Sequence, residues 1–358
     1  MVRLLFGVIL SVLTICFCAC RGDIVKEPET FLKQKDALSW GNIKDANIYD
    51  VDGKEYILFV TDRRNTICSL DIEANKIDTI ITMPQTINDL CYDLDSKIIW
   101  ATVGSHRTVW NSKTHTTIPC PITKHYGESI TWAGVRAYHP FFSSGNMLYT
   151  GIIPTEALTD FKYDYAGFRK KINLIAVWDI SNPDSVRCVK IFGKRPSDQP
   201  KDMFIDDCYQ TAFNVEDSII VAGTELSQNV VVMTMSGKTL REKKLSSKFY
   251  VKPQKRDFSQ NHSATEKIQY WEDNMLFRGM FYDKYRKQYY RILQLSKQED
   301  KNSFIKKKQD WVLIVADSKL NKKYEVKFDG DKYRWAILIG KQGVYILKDK
   351  TMDLFVFD

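Results

Sequence analysis

The sequence is poor in the residues that build metal sites and tightly wound repeats. Among 358 residues there are 5 histidines and 17 glycines, and no Cys-x-x-Cys pair occurs. The cysteine pattern argues against a zinc ribbon, a thioredoxin-like site and a dense disulfide scaffold, and the glycine count argues against a β-helix. With 44% hydrophobic and 27% charged residues, the composition excludes a disordered chain, a collagen and a polytopic membrane protein.

Catalytic and cofactor-binding motifs are missing as well. The sequence has no Gly-x-Ser-x-Gly elbow, no phosphate loop and no dinucleotide fingerprint. Four histidines fall within residues 106–139, but without a ligand spacing such as His-Glu-x-x-His. We therefore predict no metal site and no cofactor. The question of enzymatic activity stays open, with the missing motifs favouring a protein that is not an enzyme.

The N-terminus has the features of an export signal. A basic residue, Arg3, precedes a short apolar stretch at residues 4–17, which is too short to span a bilayer comfortably. Ala19 then stands directly before Cys20. A small residue followed by a cysteine resembles the bacterial lipobox, in which the signal peptide is cut before the cysteine and the thiol receives a diacylglycerol.

The export signal defines the expected address of the protein. We predict a lipoprotein signal peptide at residues 1–19 and a lipidated tether at residues 20–30, attached to the membrane through Cys20. This places the protein in the cell envelope at the outer membrane, with its face open. An uncleaved anchor helix and simple secretion are the alternatives. Because the protein is exported, we expect no nucleic-acid partner.

Five cysteines remain beyond the lipidation site, and their state is open. An oxidising envelope permits disulfides, but the odd number leaves any pairing undetermined. Several lie in apolar runs, which is typical of buried thiols. The five are Cys68, Cys91, Cys120, Cys188 and Cys208.

Short apolar runs separated by turn residues dominate the chain after residue 40, and residues 56–60, 98–103 and 230–235 are examples. Such runs are typical of antiparallel strands. They predict one all-β domain over residues 31–358, a β-propeller of six to seven four-stranded blades at about 40–45 residues per blade. The alternative is two β-sandwich domains joined near residues 193–201.

Three local expectations follow from the same pattern. Helix-like spacing predicts a short helix or a covering loop at residues 155–171, and charged stretches predict long loops at residues 252–267 and 297–310. The apolar segment at residues 354–357 is expected to pair with a strand from residues 30–60. This pairing would close the ring of blades and remove an exposed edge.

Three stretches carry a family resemblance, at residues 139–142, 246–250 and 281–291. They resemble uncharacterised predicted lipoproteins of Bacteroidetes, which are TolB-like or six-bladed β-propellers. The resemblance covers roughly residues 135–358. It implies an envelope location and a propeller fold, and it implies no particular chemistry.

The candidate binding residues lie in two segments that combine aromatic and basic side chains, which suit protein, peptide or sugar contacts. Packing inside a sheet is the alternative role. We predict a monomeric binding module for a protein, peptide or glycan, with a glycan-active hydrolase or lyase as the alternative. The candidates are Arg136, Tyr138, His139, Tyr282, Tyr285, Arg286, Tyr290 and Arg291.

Overall fold

The computed structural model describes most of the chain after residue 42 and two short segments before it. The described residues are 25–26, 38–39, 43–61, 65–93, 96–103, 108–119, 131–132, 142–153, 175–182, 184–198, 209–253, 264–297, 308–348 and 351–357. The predicted signal peptide, the lipidation site Cys20 and the helix expected at residues 155–171 lie outside these ranges.

The described residues form 26 strands and one helix. Two short strands come first, β1 (Val25–Lys26) and β2 (Leu38–Ser39). Blade 1 contains β3 (Ile43–Val51), β4 (Lys54–Thr61), β5 (Thr66–Asp71) and β6 (Lys76–Thr82). Blade 2 contains β7 (Ile87–Asp93), β8 (Ile98–Val103), β9 (Thr108–Asn111) and β10 (Thr116–Pro119). After β11 (Thr131–Trp132), blade 3 contains β12 (Phe142–Ser144), β13 (Met147–Ile153), β14 (Ile175–Asp179) and β15 (Arg187–Phe192).

The second half of the chain continues in the same way. Blade 4 contains β16 (Tyr209–Asn214), β17 (Ile219–Thr224), β18 (Asn229–Thr234) and β19 (Thr239–Lys244). The helix α1 (Ala264–Asp273) precedes blade 5, which contains β20 (Leu276–Asp283), β21 (Gln288–Gln294), β22 (Trp311–Ala316) and β23 (Lys322–Phe328). Blade 6 contains β24 (Ile337–Gly340), β25 (Gly343–Leu347) and β26 (Thr351–Phe355).

The six sheets form a closed β-propeller. Strands of the first five blades pair antiparallel in chain order, with β1 and β11 added to blades 5 and 3. The fourth strand of blade 6 is β2, whose Leu38 stands opposite Met352 and whose Ser39 stands opposite Thr351. The predicted pairing between the C-terminal segment and a strand from residues 30–60 is therefore confirmed, and the number of blades is six.

Buried side chains lie between the blades, which explains why the strands are apolar on both faces. Six hydrophobic clusters are each shared by two neighbouring blades, and one of them joins blade 6 to blade 1. In β21, Tyr289 and Leu293 pack with blade 4, whereas Tyr290 and Ile292 pack with blade 6. Successive side chains of a strand point to opposite faces, so each central strand supplies two interfaces.

The alternative of two β-sandwich domains is wrong. Blades 3 and 4, on either side of the candidate linker at residues 193–201, share one hydrophobic cluster that includes Tyr149 and Ile220. The sequence also allowed seven blades because the spacing between strands is uneven. In blade 3, for example, β13 ends at Ile153 and β14 begins at Ile175.

The long loop expected at residues 252–267 is a second correction, because α1 begins at Ala264. Tyr270 of this helix is buried against Leu226 and Leu276, so contacts with blades 4 and 5 fix the helix. Its sequence, ATEKIQYWED, contains too few apolar residues to show a helical period. No helix in the described ranges is long and apolar enough to cross a membrane.

Candidate ligand cavity in the central channel

A cavity of about 520 Å³ lies where the first strands of the six blades meet. Residues of β3, β7, β12, β16, β20 and β24 line it, mostly near the turns that lead into the second strands. Its wall therefore combines positions as distant in sequence as Ala46 and Ile339. A volume of this size is typical of a small-ligand site. We call it the central cavity.

A short sequence motif recurs around the central cavity. In four blades the first strand ends with an aromatic residue followed by Asp or Asn. The pairs are Tyr49-Asp50, Tyr92-Asp93, Phe213-Asn214 and Tyr282-Asp283. The aromatic residue of every pair belongs to the cavity wall.

The acidic or amide member of each pair holds the turn that follows it. The hydrogen bonds run from Gly53 N to Asp50 Oδ1 (2.9 Å), from Ser96 Oγ to Asp93 Oδ2, from Asp217 N to Asn214 Oδ1 (3.1 Å) and from Tyr285 N to Asp283 Oδ1 (3.0 Å). Asp and Asn side chains commonly stabilise turns in this way. In blade 1 the turn also requires Gly53, whose φ of +88° is strained for other residues.

The aromatic members make ring contacts between blades. The rings of Tyr49 and Tyr92 lie 4.4 Å apart and join blades 1 and 2. Phe213 stacks on Phe142 at 4.3 Å with an interplanar angle of 7°, joining blades 4 and 3. Tyr282 supplies a further ring from blade 5. The wall thus presents aromatic surface from several directions.

Charged groups of both signs lie among these rings, since the wall includes Asp50, Asp93, Glu216 and Lys284. Asp50 forms an ion pair with Lys341, and the hydrogen bond from Lys341 lowers the pKa of Asp50 below its ordinary value. Asp93 is buried, whereas Glu216 and Lys284 are exposed. The last two charges are the ones that a ligand can reach most easily.

The turn of blade 5 joins three blades beside the cavity. Tyr285 Oη donates to Glu55 Oε1 of blade 1 at 3.3 Å, and Lys341 N of blade 6 donates to the same oxygen at 2.8 Å. Arg286 Nη2 donates to Gly340 O of blade 6 at 2.9 Å. Burial, together with the charge of Glu55, raises the pKa of Tyr285, so the phenol stays protonated and can donate.

The structure separates the predicted binding residues of blade 5. Tyr282 and Tyr285 belong to the cavity wall. Arg286 holds the turn instead, with Nε donating to Asp283 Oδ2 at 2.6 Å. Tyr290 is fully buried and its hydroxyl donates to the same oxygen at 2.9 Å. These contacts give Arg286 and Tyr290 structural roles, and we do not place them in the site.

Arg291 joins blade 5 to blade 4 rather than facing a ligand. Its side chain is fully buried with the guanidinium 3.5 Å from the ring centre of Phe277. It donates to four carbonyl oxygens of blade 4 and its flanking chain, those of Thr224 (3.3 Å), Ser227 (2.7 Å), Gln228 (3.0 Å) and Leu245 (2.7 Å). A Cβ at Gly223 would lie 2.9 Å from Arg291 Nη2, so this approach needs a glycine.

The other candidates, Arg136, Tyr138 and His139, lie outside the described residues, as does Cys20. Sequence reasoning missed the wall residues of the remaining blades, among them Tyr49, Tyr92, Phe213 and Glu216. The signal that could have found the three aromatic residues is the recurring aromatic-Asp or aromatic-Asn pair before a turn.

Cysteines and metal ligands do not form an alternative centre in the described part of the chain. Cys68 and Cys188 are thiols, and burial raises the pKa of Cys188 to about 11, which disfavours a reactive thiolate. Cys120 and Cys208 lie outside the described residues. Within those residues, no group of three or more His, Cys, Asp and Glu side chains could hold a metal ion.

Six blades around a lined cavity define a six-bladed β-propeller. A family model described as "Domain of unknown function (DUF4221)" matches residues 128–327. The chain therefore belongs to the DUF4221 family. A search of curated proteins found no match.

Solved structures agree with the fold. A DUF4221 family member from Bacteroides vulgatus is 16% identical, with a TM-score of 0.67 over 91% of this chain and 97% of that one. A protein of unknown function from Bacteroides thetaiotaomicron is 12% identical, with a TM-score of 0.48 over 94% of this chain and 75% of that one. The β-propeller domain of Cps50 (Swd1) from Myceliophteria thermophila is 7% identical, with a TM-score of 0.48 over 90% of this chain and 100% of that one.

Proposed function

We propose that this protein is a binding module that holds part of a protein, peptide or glycan partner in the central cavity. The observation that carries the proposal is the wall itself, where aromatic rings and charged groups from several blades surround about 520 Å³. Aromatic surface with a few polar groups is the usual lining of a ligand site. The ring of blades holds the wall in place without a ligand, which lowers the entropy cost of binding.

Binding takes precedence over glycan cleavage because of how the wall carboxylates are used. A glycosidase needs two carboxyl groups placed on either side of the scissile bond. Asp50 and Asp93 instead accept hydrogen bonds from their turns, and Asp50 is also paired with Lys341. These contacts give both groups a structural role.

The proposed location is the outer membrane of the cell envelope, through a lipid on Cys20. The basis is the sequence at the N-terminus, where a short apolar stretch leads to Ala19 and Cys20. A cysteine carrying two or three acyl chains binds a membrane far more firmly than one carrying a single chain. The propeller would then meet its partner at that membrane.

Blocking the cavity tests the proposed site. Val215 lies in the wall and its side chain is 49% exposed, so Val215→Arg should fill the cavity without disturbing the core. Val189, on the outer strand β15 and 41% exposed, provides the matched control Val189→Arg. Binding of tri-lysine, tri-glutamate, maltotriose and chitotriose would be measured by calorimetry for all three proteins.

We expect at least one probe to bind the wild type and the Val189→Arg variant, and to lose binding to the Val215→Arg variant. Binding that survives Val215→Arg would show that the site is elsewhere. If none of the peptides or oligosaccharides binds, the proposed cavity function is wrong.

A further inference from the structure

The electrostatics of the central cavity differ from those of the whole chain. The chain has a formal net charge of +8, yet three carboxylates and one lysine lie in the cavity wall. Two further carboxylates, Glu55 and Asp283, are buried directly behind it and contact Tyr285. An excess of positive charge elsewhere therefore does not extend to this cavity.

Three tyrosines of the wall record the negative field independently. Burial raises the pKa of each, and nearby carboxylates raise it further: Asp52 and Asp93 for Tyr92, Glu216 and Asp217 for Tyr282, and Glu55 and Asp50 for Tyr285. These tyrosines belong to blades 2 and 5. The field is thus present on more than one side of the cavity.

Aromatic faces and carboxylates attract the same kind of ligand. A cation positioned over a ring is attracted by its quadrupole, and the attraction increases when water is excluded. The wall already contains such a contact, because Lys284 Nζ lies 5.0 Å from the ring centre of Tyr285. Neutral sugars would use the rings but gain little from the net negative charge.

We propose that the central cavity binds a basic peptide, holding an alkylammonium or guanidinium group among the rings of Tyr92, Tyr282 and Tyr285 and within reach of Glu216. This inference rests on the proposed function, since it names the ligand class of the same site. Glu216 attracts the ligand cation, and the exposed Lys284 opposes it. The two residues therefore act with opposite sign on affinity.

The opposite signs provide the test, with fluorescent tri-lysine as the probe. Glu216→Gln should weaken binding about fivefold and Lys284→Gln should strengthen it by a similar factor, as expected for partly screened charges. Raising NaCl from 0.05 to 0.5 M, the proposed assay range, should weaken binding to all variants because salt screens the attraction. The control is Asp78→Asn, since Asp78 is an exposed carboxylate on the outer strand β6.

The outcomes separate this inference from the proposed function. Weaker binding to Glu216→Gln, stronger binding to Lys284→Gln and unchanged binding to Asp78→Asn would support a basic ligand. If tri-glutamate, maltotriose or chitotriose binds in a way that Val215→Arg abolishes, while tri-lysine does not bind, the cavity is the site but the basic ligand is wrong. If no probe binds, both proposals are wrong.

Discussion

At the scale of single residues, Arg291 carries the largest burden. Its guanidinium is fully buried among backbone carbonyls, and burial lowers its pKa to about 9, so it remains protonated at neutral pH. Buried carbonyl oxygens without donors cost about 1–3 kcal/mol each. We expect Arg291→Met to lower the free energy of unfolding by roughly 3–5 kcal/mol, as measured by urea denaturation.

Two further variants distinguish this role from a general effect of losing an arginine. Arg291→Lys keeps the charge, but one ammonium cannot serve four carbonyls, so its loss should be intermediate. Arg187 is paired with Asp179 and its side chain is 76% exposed, so Arg187→Met should change stability by less than about 1 kcal/mol. Equal losses at both arginines would contradict the role of Arg291.

At the scale of elements, the two-residue strand β2 completes blade 6. Without it, β26 becomes an exposed edge that can pair with another molecule. We compare chains that begin at residue 37 and at residue 41, both lacking β1, so that only the first retains β2. The shorter chain should melt at a lower temperature and self-associate, as followed by calorimetry and light scattering.

The contacts across the same seam limit the expected loss. Lys341 of blade 6 donates from Nζ to Gly53 O of blade 1 at 2.8 Å and from its backbone to Glu55 Oε1. We therefore expect the shorter chain to remain folded at low temperature. Identical melting temperatures and monomeric behaviour for both chains would show that β2 contributes nothing to closure.

Most strands could be predicted because their cause is local, but their number and some connections could not. Two blades press on each central strand, so apolar runs such as Ile57 to Val60 appear in the sequence itself. The connections follow no such rule. The helix α1 is fixed by Tyr270 packing on residues from two blades, and that contact leaves no periodic pattern.

The site was predictable only where its residues are neighbours in sequence. Tyr282 and Tyr285 stood out because they lie in one aromatic and basic hairpin. The role of Arg291 could not be separated from theirs, since alternation along β21 and the approach of blade 4 decide its burial. Tyr49 and Phe213 join the wall only when the blades are aligned with one another.

At the scale of the whole molecule, attachment to a membrane is the property to test. We expect cells grown with an alkyne-bearing palmitate analogue to label the wild-type protein, because the lipobox-like sequence directs acylation to Cys20. Cys20→Ser should abolish the label, whereas Cys18→Ser should retain it. In-gel fluorescence after affinity purification measures both.

Each outcome of the labelling experiment has a defined meaning. Label that survives Cys20→Ser and disappears with Cys18→Ser would move the lipid to Cys18. An unlabelled wild type would remove the lipid anchor altogether, and simple secretion or an uncleaved anchor helix would take its place. The fold and the central cavity are independent of these results.

The recurring aromatic-Asp or aromatic-Asn pair has a consequence for how such a protein can diversify. The second residue preserves the turn, while the first residue faces the cavity and is little constrained by it. Exchange of Tyr92 or Phe213 for another side chain would therefore alter selectivity and leave the loop conformation unchanged. Six separately encoded stretches supply the wall, so point mutations could retune recognition one sector at a time without rebuilding the scaffold.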